Sequence, residues 1–178
     1  MKSTLTSLLC ILLLQSFAQQ NFQPGSIQKA SGETISGWID YRAWERNPKA
    51  IRFKETENGA ATNFNVNELS FFQVTGKESY RRAIVSKDMR PVDQLNVTAF
   101  TQDTTITDTA FLRVITEGGK LSLYELVDEK EHYYIKDSTG EYTELIYKVY
   151  LTGSQLHFRH TYRDQLKTYM RTDPDLVK

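Results

Sequence analysis

The chain is organised around a pair of apolar runs joined by a glycine turn. Phe111, Leu112, Val114 and Ile115 form the first run and Leu121, Leu123, Leu126 and Val127 the second, with Glu117-Gly118-Gly119-Lys120 between them. Two β-type runs joined by residues that tolerate positive φ predict a hairpin. The same grammar recurs upstream. Ser26 to Ala30, the turn Ser31-Gly32-Glu33, and Thr34 to Arg42 predict a first hairpin. In its second arm Ile35, Gly37, Ile39 and Tyr41 alternate with Ser36, Trp38, Asp40 and Arg42, the period of a half-buried strand. Gly37 inside that strand predicts a bulge or a close backbone approach.

Asn47-Pro48 initiates a turn that returns the chain into a third strand, Ala50 to Lys54. Extended segments follow at Thr62 to Phe64 and Ser70 to Val74, then a turn at Thr75-Gly76-Lys77-Glu78 and an outgoing arm, Ser79 to Val85. From Ser86 to Thr109 the pattern is lost, which predicts a long Thr-rich loop. Beyond the central hairpin, His132 to Lys136 reads as a strand, Ser138-Thr139-Gly140-Glu141 as a turn, and Tyr142 to Leu151 as a strand in preference to a short helix. Only Thr161 to Met170 changes period: Tyr162, Leu166, Tyr169 and Met170 recur at helical spacing, and Thr161 with Asp164 resembles a capping box. The expected fold is mainly β, with antiparallel hairpins forming a sandwich or partly open barrel and one C-terminal α-helix on an edge or open face.

Composition narrows the class. At 178 residues the chain is the size of one domain, and Lys+Arg 22 against Asp+Glu 22 leaves no basic excess for nucleic acid. Residues 1–18 have the layout of a signal peptide: Lys2, an apolar run from Leu5 to Phe17, and Ser16-Phe17-Ala18 as the cleavage site. Residues 19–170 then form a single β-rich domain that does not span a membrane, and 171–178 a frayed tail. Cys10 is the only cysteine, and Leu9 stands before it where a lipoprotein signal has a small residue. A mature chain without cysteine points to the bacterial periplasm or outer membrane rather than to a disulfide-built secreted domain.

Reactive chemistry is hard to assemble from these residues. His157 and His160 are the only neighbouring histidines and with Asp164 could offer three metal ligands, but solvated or capping histidines are the favoured reading. Asp40, Glu45, Asp128 and Glu129 could supply a carboxylate pair for glycoside chemistry, although spacing along the chain does not set the separation. Gly76-Lys77 and Gly119-Lys120 lack the rest of a phosphate loop, and Asn96-Val97-Thr98 matches a glycosylation acceptor out of its proper context. No catalytic residue, cofactor or metal site is assigned. Aromatics stand out instead: Trp38, Tyr41 and Trp44 lie close together, and Tyr133 and Tyr134 point to opposite sides of one strand. One aromatic row must therefore reach the surface or a groove. These five residues are the expected partner or ligand face.

Phe22-x-Pro24-Gly25, Gly37-x-Ile39-x-Tyr41, Arg46-Asn47-Pro48-Lys49 and Ile51-x-Phe53 form one set of motifs. Phe111-Leu112-Arg113, Leu123-Tyr124, Glu144-Leu145-Ile146-Tyr147 and Tyr162-Arg163-x-Gln165-Leu166 complete it. Together they resemble a secreted β-rich envelope domain of Bacteroidota-type bacteria. That group has no assigned catalytic residues and often stands before a region like an outer-membrane barrel, a region not matched here. The resemblance implies an envelope address. The resulting expectation is a non-enzymatic binding or scaffolding domain contacting another envelope protein. The alternatives are a carrier of a small glycan or lipid in a barrel cavity, and a carboxylate-dependent hydrolase.

Overall fold

A computed structural model describes residues 20–92 and 104–171. The signal-peptide segment, the glycosylation-type triplet, the middle of the long loop and the tail after Arg171 lie outside the described residues. The described residues form twelve strands and one helix: β1 Phe22–Lys29, β2 Thr34–Asp40, β3 Ala50–Lys54, β4 Thr62–Asn65, β5 Leu69–Val74 and β6 Ser79–Asp88. They continue with β7 Thr105–Thr116, β8 Ser122–Val127, β9 Glu131–Lys136, β10 Tyr142–Glu144, β11 Lys148–Thr152, β12 Gln155–Arg159 and the helix α1, Thr161–Arg171. Ten strands make one antiparallel sheet in the order β10-β9-β8-β7-β6-β5-β1-β2-β3-β4, and β11 pairs with β12 as a separate hairpin. The sheet does not close into a barrel. No described helix is long and apolar enough to cross a membrane.

The central hairpin forms as its pattern requires, with Gly118 at φ 109° and Gly119 at φ 74° in the turn. Its strand β7 is where the sheet changes its buried side. Phe111 and Leu112 are adjacent and so face opposite ways, and each is essentially inaccessible. Phe111 joins a cluster of Ile27, Ile39, Ile51, Phe53, Leu69, Phe72, Val74 and Tyr80 on one face. Leu112 joins Ala83, Val85, Tyr124, Leu126 and Tyr134 on the other. Burying one face in each half lets a long sheet form two cores. The first core is covered by the β2–β3 connection: Trp44 sets its ring edge to face with Tyr41, Phe72 and Tyr80 at 5.3, 5.9 and 5.7 Å. The second is enclosed by curling, as β10 returns beside β6 and the backbone N–H of Asp88 donates to Glu144 at 2.7 Å.

Three expectations change. The long loop is shorter than its polar composition suggests, because β6 runs on to Asp88 and pairs with β7 from Thr105. A polar, Thr-rich strand alternates too weakly in hydropathy to be seen, yet its cross-strand partners specify it. The segment Tyr142 to Leu151 splits at residues 145–147 into β10 and β11, with β12 completing a hairpin. Finally, the capping box does not form: Thr161 lies within the helix, the N–H of Arg163 donates to the carbonyl of His160, and Asp164 pairs with Lys167.

Candidate functional site

The five aromatics expected to share a face are dispersed by the fold. Tyr41 and Trp44 pack on the first core, while Trp38, next to Ile39, points to the opposite side of β2. Tyr134 is fully buried in the second core and cannot contact a partner. Tyr133 points the other way, is 37% exposed, and lines a groove.

That groove has a volume of about 810 Å³. Leu123 of β8 and Tyr133 of β9 form one wall, Leu145, Ile146 and Tyr147 of the β10–β11 link a second, and Tyr162 and Leu166 of α1 the third. Several bonds place the helix: Gln165 Oε1 accepts from the N–H of Ile146 at 2.9 Å and its Nε2 donates to the carbonyl of Glu144 at 2.8 Å, the N–H of Tyr162 donates to the carbonyl of Ile146 at 2.8 Å, and the Tyr169 hydroxyl donates to Thr143 Oγ1 at 3.3 Å. None of the helix's residues is fully buried. His160 sits between the rings of Tyr147 and Tyr162, at 5.2 and 5.6 Å, and lines the groove. The Tyr133 hydroxyl donates to Glu131 at 3.1 Å, and burial, then that carboxylate, then Glu125 push its pKa up to about 12.

Asp88, Lys130, Glu131 and Glu144 supply the polar part of the lining. Glu144 belongs to a chain of charged groups inside the curled half. His132, its side chain only 1% exposed, places Nδ1 at 2.6 Å from Glu144 Oε1 and Nε2 at 3.3 Å from Asp128 Oδ1. Lys87 donates to both Asp128 and Asp108 at 2.7 Å. Burial pushes Asp128 up, but Lys87, the N–H groups of Lys130 and Glu129, and His132 together hold it below the ordinary carboxylate range. Asp88 is likewise held down, its burial outweighed by Arg90 and Lys130. A smaller cavity of about 340 Å³ shares Val92 and Lys130 with the groove and reaches Asp128 and His132.

The other candidates do not assemble. His157 stacks on Tyr150 at 5.4 Å, and Asp164 is exposed beside Lys167, so His157, His160 and Asp164 do not converge. Among the described residues, no three His, Cys, Asp or Glu side chains are grouped to hold a metal ion. Asp40 is buried but occupied by Arg42 at 2.9 Å, Arg52 at 3.6 Å and the N–H of Asn21 at 3.1 Å, while Glu45 and Glu129 are exposed. The His132–Glu144 relationship was beyond sequence reasoning. The only hint was that His132 alternates in phase with Tyr134 on a strand whose other face carries Tyr133.

The chain matches no protein-family model, no curated protein and no solved structure.

Proposed function

We propose that this chain is a non-enzymatic binding domain of the bacterial cell envelope, and that its groove takes an apolar segment of another envelope protein. The observation that carries this reading is an amphipathic helix forming one wall of an apolar groove while burying none of its own residues completely. An 11-residue helix gains most of its stability from packing an apolar face, so a guest lying between α1 and Tyr133 would complete that packing. The signal-type N-terminus and the motif resemblance support the envelope address. The volume also falls within the range of small-ligand pockets, roughly 300 to 1,000 Å³, which keeps a lipid or glycan carrier as the second reading.

The test is a photoreactive residue placed at Tyr133, with a matched one at Ile84, which is exposed and away from the groove. Crosslinking in cells should capture one abundant envelope protein from position 133 and not from position 84. A co-purifying lipid or glycan displaced by a bulky residue at 133 would move the assignment to the carrier. Equal capture from both positions, or none, removes the groove from the function.

A further inference from the structure

The side chain of His132 on β9 is only 1% exposed, yet one of its ring nitrogens is left over. Nδ1 lies 2.6 Å from Glu144 Oε1, and a carboxylate can only accept, so the single N–H of the neutral ring is on Nδ1. Nε2 then carries a lone pair. It lies 3.3 Å from Asp128 Oδ1 without forming a hydrogen bond, and it has no hydrogen-bond partner among the described residues. A buried acceptor without a donor is costly, and a group that donates to it recovers that cost. The ring is also held in place, because Glu144 Oε2 accepts from the Asp88 N–H of β6 at 2.7 Å and so fixes the carboxylate that orients it.

His132 lines the cavity of about 340 Å³ beside the groove. Asp128, on the Nε2 side of the ring, lines it too, whereas Glu144, on the Nδ1 side, lines the groove instead. The cavity therefore opens on the side of the unpaired nitrogen. The rest of the lining selects the ligand. Arg90 and Lys130 stand against Asp128 and Glu129, so the formal charges cancel and neither an anion nor a cation is called for. These charges also have partners: Arg90 pairs with Asp88, Lys130 Nζ donates to the carbonyl of Arg90 at 3.0 Å, and Asp128 accepts from Lys87 at 2.7 Å. Pro91 and Val92 add carbon to the wall.

A hydrocarbon in this cavity would leave Nε2 unpaired. A hydroxyl fits, because it donates through its proton and accepts through its oxygen, and so replaces a water at such a wall without leaving a bond unmade. The volume is near the low end of small-ligand pockets, roughly 300 to 1,000 Å³, which suits one ring better than a chain. We propose that this cavity is a binding site for a single neutral sugar ring, one hydroxyl of which donates to His132 Nε2. The site does not rest on the groove holding a partner segment, since the two share only Val92 and Lys130.

The experiment is ¹⁵N NMR of the histidine side chains of the purified protein, titrated with glucose, galactose and mannose, and with glucosamine and glucuronate as charged rings of similar size. At least one neutral sugar should move the Nε2 resonance of His132 from that of a bare lone pair to that of a hydrogen-bonded acceptor and leave Nδ1 in place. Saturation is expected with a Kd on the order of millimolar, ordinary for so small a ligand. The charged rings should bind at least about tenfold more weakly, because the lining holds no unmatched charge for them. His132→Phe should abolish binding. If that variant does not fold, Met89→Trp fills the cavity from its wall while leaving His132 in place, and it should weaken the neutral sugar at least about tenfold.

No response of Nε2 to any of the three neutral sugars at ~100 mM overturns the site. So does an Nε2 that is hydrogen-bonded before sugar is added and does not respond to it, which assigns the nitrogen to a trapped water. A charged ring that binds as tightly as the neutral ones overturns the choice of ligand. Crosslinking from position 133 should be the same in Met89→Trp as in the native chain, so failure of this site and failure of the groove reading are told apart.

Discussion

Asn47 and Val127 pair as though the side chain of one were a length of strand. The N–H of Asn47 donates to the carbonyl of Val127 at 2.9 Å, and the N–H of Val127 donates to Asn47 Oδ1 at 3.0 Å. Asn47 Nδ2 then reaches the carbonyls of Phe111 and Glu125 at 2.8 and 2.9 Å. The β7–β8 pairing runs only from Arg113–Glu125 toward the turn, so beyond it the two strands part and Asn47 fills the gap. One side chain thus satisfies three backbone groups that would otherwise be unpaired. It also fastens the β2–β3 connection of the first half to the strands of the second.

Asn47→Ala should therefore destabilise the domain by about 3 kcal/mol, since buried backbone groups lose partners that no neighbour replaces. Asn47→Asp should be worse, because it turns two donors into an anion facing carbonyl oxygens. Urea denaturation followed by tryptophan fluorescence would read both. A loss under about 0.5 kcal/mol for the alanine variant would show that the bridge is dispensable.

Gly37 and Gly25 face each other across β1 and β2. A Cβ at Gly37 would lie 2.1 Å from the carbonyl oxygen of Lys54 and 2.5 Å from the ring of Phe53, and at Gly25 it would lie 2.4 Å from the carbonyl oxygen of Gln73. Backbone on both sides leaves no soft neighbour to yield. Either glycine changed to alanine should cost on the order of 3 kcal/mol, at the upper end of overpacking, seen as a lowered melting temperature.

The two tryptophans should separate cleanly. Trp44→Ala removes a ring touching Tyr41, Phe72 and Tyr80 and should cost about 3 kcal/mol, whereas Trp38→Ala should cost about 1 kcal/mol or less. Equal losses in thermal melts would contradict the division of faces along β2.

Acid should weaken the curled half first. Asp88 and Asp128 both lie below the ordinary carboxylate range in the folded state. Each contributes stability that is present above its unfolded pKa, near 3.9, and is lost as pH falls through the lower folded value. Asp128→Asn should be less stable at neutral pH by about 2 kcal/mol, discounted for partial exposure, and should show a shallower decline below about pH 4. Thermal melts across that range, with amide exchange on β9 and β10, would measure it.

Local pattern carried much of the architecture. The alternation in Thr34 to Arg42, the Gly118-Gly119 turn and the helical spacing of Tyr162, Leu166 and Tyr169 each report on neighbours in sequence, and each element formed where its period indicated. The polar start of β7, and β12, left weak traces because their identity comes from cross-strand partners rather than from their own hydropathy. Tyr133 and Tyr134 show the division in miniature. Alternation required them to part, but whether the outward ring met solvent, core or groove depended on where α1 docked.

The same division runs through the site. Asn47-Pro48 was legible as a turn because proline and asparagine restrict their own backbones, yet the bonds from Asn47 to Phe111, Glu125 and Val127 span separations of 64 to 80 residues. His132 and Glu144 are 12 residues apart and meet only because β9 and β10 pair while the sheet curls back on β6. By itself the sequence determined an antiparallel β chain with a terminal helix, since periodicity and turn chemistry act within a few residues. Only the tertiary structure decided which face each half buries, that one histidine lies between two carboxylates, and that an apolar groove opens beside it, because those depend on sheet curvature and on contacts between distant strands.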